Sequence, residues 1–431
     1  MKDNKKKIFV WALFDFANTS YSIVVVTFVF AVYFKEVISE GQPVGDLYWS
    51  FAISISMIIT AIISPILGAI ADYSAGKKRF LLFFTLLSII STALLYFTDA
   101  GSVLFAVVVF IIANIGFEAG LVFYDAFLPE ITQPKNYGRV SGYGFAFGYL
   151  GSLAALGIAF PFITRNMVKE TFPLSALFFL VFALPFFFYI SDTRKPAVKK
   201  ISFVKVGFSR VSYTIKNLKN YKNLALFLAS FFFFIEGVNT VIFFAGNYAR
   251  TTLHFSMNEL IVFFLVVQTS AIIGSIFFGI MSDSIGQKKS LVISLFIWIG
   301  IIIFAFLTSD PENAFISFLN GLFNQTREEL MLRSFYVVGL LAGSVMGATQ
   351  SISRSLMSKL TPDDKRTEFF GFYSFFGKSS AIIGPLAFGF VSYTTGSQRY
   401  AILTLIIFFV IGLFLLKNVD DHSGDAKPQV N

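Results

Sequence analysis

The chain has 431 residues, of which 56% are hydrophobic and 14% are charged, and its formal net charge is +9. Soluble globular proteins usually have about 25% charged residues, so this composition excludes a soluble domain. The absence of cysteine excludes disulfides, thiolate metal sites and cysteine nucleophiles. The two histidines, His254 and His422, lie in a predicted loop and in the tail, so we expect neither a metal site nor a cofactor.

Long apolar runs recur along the whole sequence, each near the ~20 residues that cross ~30 Å of hydrocarbon. They predict an all-α membrane protein with twelve transmembrane helices. The first run follows a basic start, as in a signal peptide, but it is long and lacks a small-residue cleavage site, so we interpret it as a retained span. The predicted spans are 8–34, 47–71, 80–98, 102–128, 139–163, 172–190, 223–246, 258–281, 290–307, 332–358, 370–394 and 398–417.

The basic residues predict the orientation of these spans. Twelve spans place both termini on one side, and a cytoplasmic N-terminus puts most of the 34 Lys and Arg residues on the inner side. We therefore predict a multi-pass protein of the cytoplasmic membrane with both termini cytoplasmic. The basic surplus is expected to face anionic lipid headgroups, not nucleic acid.

The longest inner loop divides the chain into two halves. We predict an N-terminal six-helix bundle at 1–190, a basic linker at 191–222, and a C-terminal six-helix bundle with a cytoplasmic tail at 223–431. The linker is either a basic amphipathic segment on the membrane surface or a solvated charged loop. The outer segment 309–331 predicts a short interfacial helix, to which we assign no chemistry.

The two halves repeat one another. The loop after the second span reads "GAIADYSAGKKR" and the loop after the eighth reads "GIMSDSIGQKK", so each has Gly, Asp four residues later, Gly and a basic pair. Further on, aligning Gly142 with Gly371 also aligns Gly148 with Gly377. The candidate gating residues in the two loops are Gly68, Asp72, Gly76, Lys77, Lys78, Arg79, Gly279, Asp283, Gly286, Lys288 and Lys289.

The doubled loop resembles the signature loop of the major facilitator superfamily, and the likeness covers the chain as two six-helix repeats. The segments "WALFDFANTSYS", "LPEITQPKNYGRVSGYGFAFGYLGS" and "EFFGFYSFFGKSSAIIGPLAFGFVSYTTGSQR" are similar to the vacuole-effluxer-like branch, which includes fungal vacuolar amino-acid permeases associated with autophagy. The resemblance implies the major facilitator fold in two pseudo-symmetric halves, with spans one, four, seven and ten around a central cavity. It permits amino-acid efflux without establishing the substrate.

Asp72 lies at the inner end of the second span. Its carboxylate can accept from the neighbouring basic residues or face the N-terminus of another helix, whose dipole favours an anion. The resemblance implies that this neighbour is span eleven, in the other half, so the contact would close the inner side and break when the halves rock. The alternative is helix capping combined with topology charges.

Polar residues inside the spans concentrate on the four implied cavity helices, which is typical of residues that face a water-filled cavity. At 1.5 Å per residue, Asp15, Arg354 and Lys378 fall in an inner layer, so Arg354 and Lys378 are candidate partners for Asp15. Asp15 is either a structural latch or a substrate or proton site, while Glu118 and Glu236 lie nearer the midplane. The candidate substrate or proton residues are Asp15, Asn18, Glu118, Glu236, Asn239, Gln350, Arg354 and Lys378.

The repeat alignment also predicts ion pairs inside each half. In this alignment Asp125 is equivalent to Arg354 to within one residue, and Arg139 is equivalent to Glu368. The signs of the charges are therefore reversed between the halves. We therefore predict the pairs Asp125–Arg139 and Arg354–Glu368, which would tie span four to span five and span ten to span eleven.

Together these features predict a monomeric secondary active transporter of a small molecule that works by alternating access. We expect coupling to protons through Glu118 or Glu236, and outward movement of amino acids or similar small zwitterions. A facilitator of another small solute, such as a nucleoside, peptide or drug-like cation, and a non-transporting scaffold or sensor are the alternatives. An enzyme is not expected, and without a G-x4-G-K-[ST] motif neither is ATP coupling in this chain.

Overall fold

A computed structural model describes residues 4–42, 44–191, 203–380 and 383–421. Within these ranges the secondary structure is helical, and twelve helices are long and apolar enough to cross a membrane. The twelve predicted spans are therefore confirmed. They are Lys5–Ile38, Val44–Tyr73, Lys77–Phe97, Val103–Asp125, Pro134–Ile163, Thr171–Tyr189, Leu218–Thr251, Asn258–Ile285, Gln287–Thr308, Arg327–Leu360, Asp363–Thr395 and Gln398–Lys417, called spans 1 to 12 below.

Several helices are longer than the apolar segments from which they were predicted, because polar residues with good helix propensity extend them. Span 10 begins at Arg327, where Thr326 forms a capping box with Glu329. Span 1 begins at Lys5, where the Asn4 side chain accepts from the backbone nitrogens of Lys6 and Lys7.

Spans 1 and 11 each contain more than one helical segment. In span 1 the α-helix Lys5–Tyr21 gives way to a π-helical segment, Ser22–Thr27, which contains a β-branched run. Span 11 contains two α-helices, Arg366–Ser379 and Ile383–Thr395. The second of these has Gly384 and Pro385 in its first turn.

Glycines allow the helix backbones of the two halves to come into direct contact. A Cβ on Gly68 of span 2 would lie 2.2 Å from the carbonyl oxygen of Thr367 in span 11. A Cβ on Gly142 of span 5 would lie 2.3 Å from the carbonyl oxygen of Ser275 in span 8. Small residues at such crossings allow close helix approach, so spans 2 and 11 and spans 5 and 8 form two seams between the halves.

Two further helices lie outside the spans. The linker helix, Phe203–Lys216, falls within the predicted 191–222 linker, of which residues 192–202 lie outside the described ranges. The outer helix, Ala314–Phe323, confirms that the segment 309–331 contains a short helix. Its Ile316 is buried while Phe318, Leu322 and Phe323 are exposed. His422 and the rest of the predicted tail also lie outside the described ranges.

Candidate functional site

The inner end of the seam between spans 2 and 11 is closed by Asp72. Its carboxylate accepts hydrogen bonds from the backbone nitrogens of Thr367, at 3.1 Å, and Glu368, at 2.8 Å. Both donors belong to the first turn of the helix Arg366–Ser379, whose dipole favours an anion at this end. The structure thus has the contact between Asp72 and span 11 that the sequence predicted.

Asp283 makes the equivalent contact on the seam between spans 8 and 5. Its carboxylate accepts from the backbone nitrogens of Gly138, at 2.8 Å, and Arg139, at 3.1 Å, and it also pairs with Nε of Arg139 at 2.7 Å. A Cβ on Gly138 would lie 2.5 Å from the carbonyl oxygen of Gly279. The first turn of the span 5 helix can therefore approach span 8 this closely only with glycine at position 138. The two signature loops therefore cap helices of the opposite half in the same way.

The basic residues of the N-terminal signature loop bind within their own half. Lys77 pairs with Glu130 and donates to the carbonyl oxygen of Ala126, while Lys78 donates to the carbonyl oxygen of Ile190. Arg79 is exposed. Gly76 supplies a positive φ of 73° at the turn, which suits glycine.

The C-terminal signature loop is arranged in a similar way. Lys288 donates to the carbonyl oxygens of Lys417 and Val419, so it too binds within its own half. Lys289 is exposed. Gly286 has a φ of 97° at the corresponding turn.

Above the seams, Arg354 of span 10 joins the halves. Its guanidinium lies 3.2 Å from the carboxylate of Asp15 in span 1 and 3.0 Å from that of Asp125 in span 4. Arg354 and Asp15 are both buried. Asn18 donates to Asp15 at 3.3 Å, which extends this polar group along the face of span 1. Of the two basic partners predicted for Asp15, the structure selects Arg354.

Neighbouring residues of spans 1 and 5 hold the guanidinium in place. Arg354 donates from Nε to the hydroxyl of Ser141 and from a terminal nitrogen to the Ser141 carbonyl, each at 2.9 Å. Its charge stacks over Phe145 at 4.3 Å and over Trp11 at 4.7 Å. A Cβ on Gly144 would lie 2.6 Å from both the guanidinium and the Asp15 carboxylate, so a glycine leaves room for the pair.

The predicted ion pairs within each half are wrong. Among the described residues, Arg139 pairs with Asp283, and Arg354 pairs with Asp15 and Asp125. Glu368 instead contacts Arg210 and Lys365. The physical reason is that these charges lie on faces turned toward the opposite half or the linker. Each acid therefore finds a base across an interface, and Glu368 also pairs with Lys365 three residues before it.

A second ion pair crosses between the halves deeper in the bundle. Lys378 of span 11 lies 2.7 Å from the carboxylate of Glu118 in span 4, and both side chains are about one-seventh exposed, at 13% and 14%. Glu118 is two helical turns above Asp125, roughly 10 Å along span 4. Lys378 therefore pairs with Glu118 and not with Asp15, because its long side chain reaches from the inner layer toward the midplane.

Glu236 of span 7 is fully buried beside the first turn of the helix Ile383–Thr395 in span 11. One carboxylate oxygen accepts from the backbone nitrogen of Gly384, at the start of the helix Ile383–Thr395, and the other has no hydrogen-bond partner among the described residues. A Cβ on Gly384 would lie 2.5 Å from the carboxylate and 2.1 Å from the hydroxyl of Thr240. The site therefore depends on glycine at this position.

The remaining candidate residues lie between these groups. Asn239 donates to the hydroxyl of Ser380 at 3.4 Å, so spans 7 and 11 touch here. Gln350 accepts from the hydroxyl of Tyr149 at 2.8 Å, which links span 10 to span 5. Sequence reasoning missed Ser141 and Tyr149. Their only sequence signal is their place in the glycine-rich segment of span 5, beside the polar stripe of span 10.

The described residues contain no cluster of three or more His, Cys, Asp or Glu side chains that could hold a metal ion. The charges instead form successive cross-half contacts along the bundle. Asp72 and Asp283 lie at the inner end, the Arg354 group follows, and the Glu118–Lys378 pair lies deeper. Such a stack can seal one side of a membrane and separate when the halves move apart.

The chain matches the family model described as "Vacuole effluxer Atg22 like" over residues 48–138 and 134–428. It is 32% identical over 446 residues to the uncharacterized MFS-type transporter YxiO of Bacillus subtilis, covering 100% of this chain and 99% of that protein. It is 25% identical over 450 residues to autophagy-related protein 22 of Coccidioides immitis, covering 88% and 73% of the two chains.

Solved structures confirm the fold. The MFS proton:xylose symporter XylE bound to 6-bromo-6-deoxy-D-glucose superposes with a TM-score of 0.72 at 16% identity, covering 96% of each chain. A bacterial homologue of the iron transporter ferroportin, in an outward-facing state with soaked iron, gives a TM-score of 0.70 at 14% identity, covering 98% of this chain and 100% of that one. At these identities the likeness shows the major facilitator fold alone.

Proposed function

This chain belongs to the vacuole effluxer Atg22-like family and is a transporter of the MFS type, and from that premise we propose that it exports amino acids or similar small zwitterions by proton-coupled alternating access. That it is a multi-pass membrane protein with a small-molecule substrate, and not an enzyme, follows from its relatives and its spans. The substrate class, the direction of transport and the coupling ion are our proposal.

The observation that carries the proposal is the Glu118–Lys378 pair. Its two charges are of opposite sign, lie on different halves and remain partly exposed. A zwitterion carries the same two charges, so its ammonium group could take the place of Lys378 beside Glu118, and its carboxylate the place of Glu118 beside Lys378. Binding would then exchange one ion pair for two and bias the relative position of the halves.

Proton coupling is proposed at Glu118 or Glu236. A buried carboxylate oxygen without a partner carries a desolvation cost, and Glu236 has such an oxygen among its described contacts. A proton there would remove the charge and add a donor. At Glu118, a proton would release Lys378 for a substrate carboxylate.

Alternating access is proposed through the two seams. The hydrogen bonds of Asp72 and Asp283 hold the inner ends of spans 2 and 11 and of spans 8 and 5 together. Opening the inner side must break them. Because the halves meet there, we take the described conformation as the one closed toward the cytoplasm.

Uptake into proteoliposomes under an imposed pH gradient tests the function. A thermal-shift screen of metabolites first selects ligands, and labelled amino acids are then compared with a nucleoside, a peptide and an organic cation. We expect amino-acid transport that is strongly reduced in Lys378→Ala. The exposed Lys35, which pairs with Asp46 at the surface, provides the matched control Lys35→Ala.

Transport of only a nucleoside, peptide or cation would replace the proposed substrate. If no solute moves and removal of the cavity charges leaves a separate cellular activity intact, the chain is a scaffold or sensor. Location in the cell membrane with cytoplasmic termini has its own test. Reporter fusions at Lys200 and Asn320 should give opposite sidedness, and equal sidedness would contradict the orientation.

A further inference from the structure

The linker helix, Phe203–Lys216, contacts both halves of the protein. A Cβ on Gly207 would lie 2.8 Å from Ile70 and 3.0 Å from Ile66, so the helix lies directly against the inner end of span 2. One and two turns later, Arg210 donates to the carbonyl oxygen of Asp364, and Thr214 donates to the carboxylate of Glu368. Span 2 belongs to the N-terminal half, and Asp364 and Glu368 belong to the C-terminal half.

The contact with Glu368 is a buried polar network. Glu368 and Thr214 are both fully buried, and Lys365 donates to the Thr214 hydroxyl at 2.8 Å and lies 3.4 Å from the Glu368 carboxylate. Arg210 approaches the same carboxylate at 3.5 Å. Buried charges held by several partners are costly to separate, so the linker helix has one strongly preferred position.

Glu368 connects this network to the inner seam. Its backbone nitrogen donates to Asp72, while its side chain binds the linker helix. The linker helix can therefore keep both sets of contacts only while spans 2 and 11 remain together. When the inner side opens, the linker helix must lose either the contact of Gly207 with span 2 or the contacts with Glu368.

The opposite side of the linker helix is exposed and basic. At 100° per residue, Gly207, Arg210 and Thr214 share the docked side. Lys205 and Lys216 lie across from them, and Phe208 and Ile215 lie on one flank. All four side chains are exposed, and we call these four residues the basic face. Basic residues beside bulky apolar ones are typical of helices that lie in the headgroup layer of a membrane.

The chain then enters the membrane at span 7, beside a shallow cleft of about 540 Å³ that is open to the surface. The cleft is lined by two lysines and three apolar residues, Leu218, Lys219, Lys222, Ala225 and Leu226. Lysines at the edge and apolar side chains along the span match the headgroup and acyl chain of an anionic phospholipid.

We propose that the basic face and this cleft bind anionic phospholipid, and that the bound lipid keeps the inner side closed by holding the linker helix against span 2 and Glu368. Attraction to the membrane surface confines the helix near its docking site and raises its effective concentration there. Lipid charge thereby sets the balance between the inner-closed and inner-open states. The inference rests on the proposed alternating access but not on the identity of the substrate.

A distance across the other seam tests the proposal in the full chain. Because the sequence lacks cysteine, Lys135→Cys with Ser284→Cys introduces two unique spin-label sites, both exposed and on opposite halves. The distance distribution is measured in nanodiscs of phosphatidylcholine and of phosphatidylcholine mixed with phosphatidylglycerol. We expect the short-distance population to rise several-fold in the anionic nanodiscs and to fall back at high salt.

Two sets of variants separate lipid binding from coupling. Lys205→Glu with Lys216→Glu should abolish the response to phosphatidylglycerol, and the matched control Lys205→Arg with Lys216→Arg should retain it. Thr214→Val with Arg210→Ala should leave lipid binding intact but remove the change in distance. An unchanged response in the glutamate variant overturns the lipid site, and an unchanged response in the Thr214 and Arg210 variant overturns the coupling.

A positive control keeps this failure distinct from failure of the proposed function. Asp283→Asn weakens the measured seam directly and should lengthen the distance in either lipid. If Asp283→Asn lengthens it while lipid charge and the linker variants have no effect, the regulatory proposal is wrong and alternating access stands. If no variant or lipid changes the distance, alternating access itself is contradicted.

Discussion

Arg354 and Asp15 lie 339 residues apart in the chain, yet their side chains form a buried ion pair at 3.2 Å. The pair explains why the first span carries a carboxylate at a depth where an isolated charge would be costly. The same guanidinium holds Asp125, so one base compensates two acids from the other half. The whole group depends on the two halves being together.

Removing Arg354 should therefore destabilise this conformation more than removing either acid. Arg354→Met leaves two neighbouring carboxylates without their base, and breaking a buried pair on one side costs on the order of 3–5 kcal/mol. We expect a large fall in the melting temperature of the purified protein. Adding Asp15→Asn and Asp125→Asn to Arg354→Met should recover much of the loss.

The exposed pair Lys35–Asp46 provides the control, because surface ion pairs contribute about 0–1 kcal/mol. Lys35→Met should leave the melting temperature nearly unchanged. A triple variant no more stable than Arg354→Met alone would contradict the assignment of the instability to the two uncompensated acids.

The two seam aspartates should differ in their effect on the inner side. Asp72→Asn removes a charge that accepts from the backbone nitrogens of Thr367 and Glu368, whereas Asp283→Asn also removes an ion pair, the one with Arg139. We expect both variants to raise cytoplasmic accessibility of a single cysteine placed at Ser141, and Asp283→Asn to raise it more.

Arg139→Ala should increase the accessibility of this cysteine less than Asp283→Asn does, since it removes the ion pair but keeps the backbone hydrogen bonds to Asp283. The labelling rate of the cysteine with a membrane-impermeant maleimide gives the measurement. Equal rates in all three variants and in the parent protein would show that these contacts do not close the inner side.

Glu236→Gln should mimic a permanently protonated carboxyl group. Its amide oxygen can still accept from Gly384, and its amide nitrogen would occupy the place of the oxygen that has no partner among the described residues. We expect accumulation driven by a pH gradient to disappear while exchange of labelled substrate continues. Glu118→Gln is the parallel test at the other candidate, and an unchanged pH dependence in both variants would remove the proton role from this pair.

Gly384→Ala should disrupt the same site by steric means. The new methyl group would lie within 2.5 Å of the Glu236 carboxylate and the Thr240 hydroxyl, so the start of the helix Ile383–Thr395 or Glu236 has to move. We expect strongly reduced transport with retained expression. Gly389→Ala, on the same helix but with no heavy atom within 4 Å of the added carbon, should transport normally. Equal transport by the two variants would contradict the requirement for glycine at Gly384.

The sequence predicted the partner of Asp72 and identified Arg354 as one of two candidate partners for Asp15, but it did not predict the pairs Arg354–Asp125 and Arg139–Asp283. Asp72 lies in a motif that recurs in both halves, and the family resemblance implied which helix it faces. The repeat alignment identified Asp125 with Arg354 as equivalent positions, but equivalence within a repeat carries no information on which faces meet across the interface. Which faces meet depends on how closely span 5 approaches spans 1 and 10. Gly144 leaves room for this approach, and Ser141 binds Arg354 there.

Lys378 illustrates a second limit of sequence reasoning. Counting residues along span 11 places its Cα in the inner layer, whereas its charge is carried several ångströms away, beside Glu118. Long basic side chains displace their charge from the backbone in this way. Depth from residue number is therefore reliable for Asp and Asn, whose polar atoms stay near the helix, and less so for Lys and Arg.

The two seams are related by the internal repeat but differ in strength, and this difference sets an order of events. Asp283 has a charged partner in Arg139, while the described hydrogen bonds of Asp72 come from backbone nitrogens. Once the linker helix has left its docking site, the seam between spans 2 and 11 should open first, giving a wedge-shaped intermediate with the other seam still closed. Entry from the cytoplasm would then begin on one flank of the molecule, the flank that the linker helix covers. Time-resolved distances across each seam should show the two opening in sequence, and simultaneous opening would refute it.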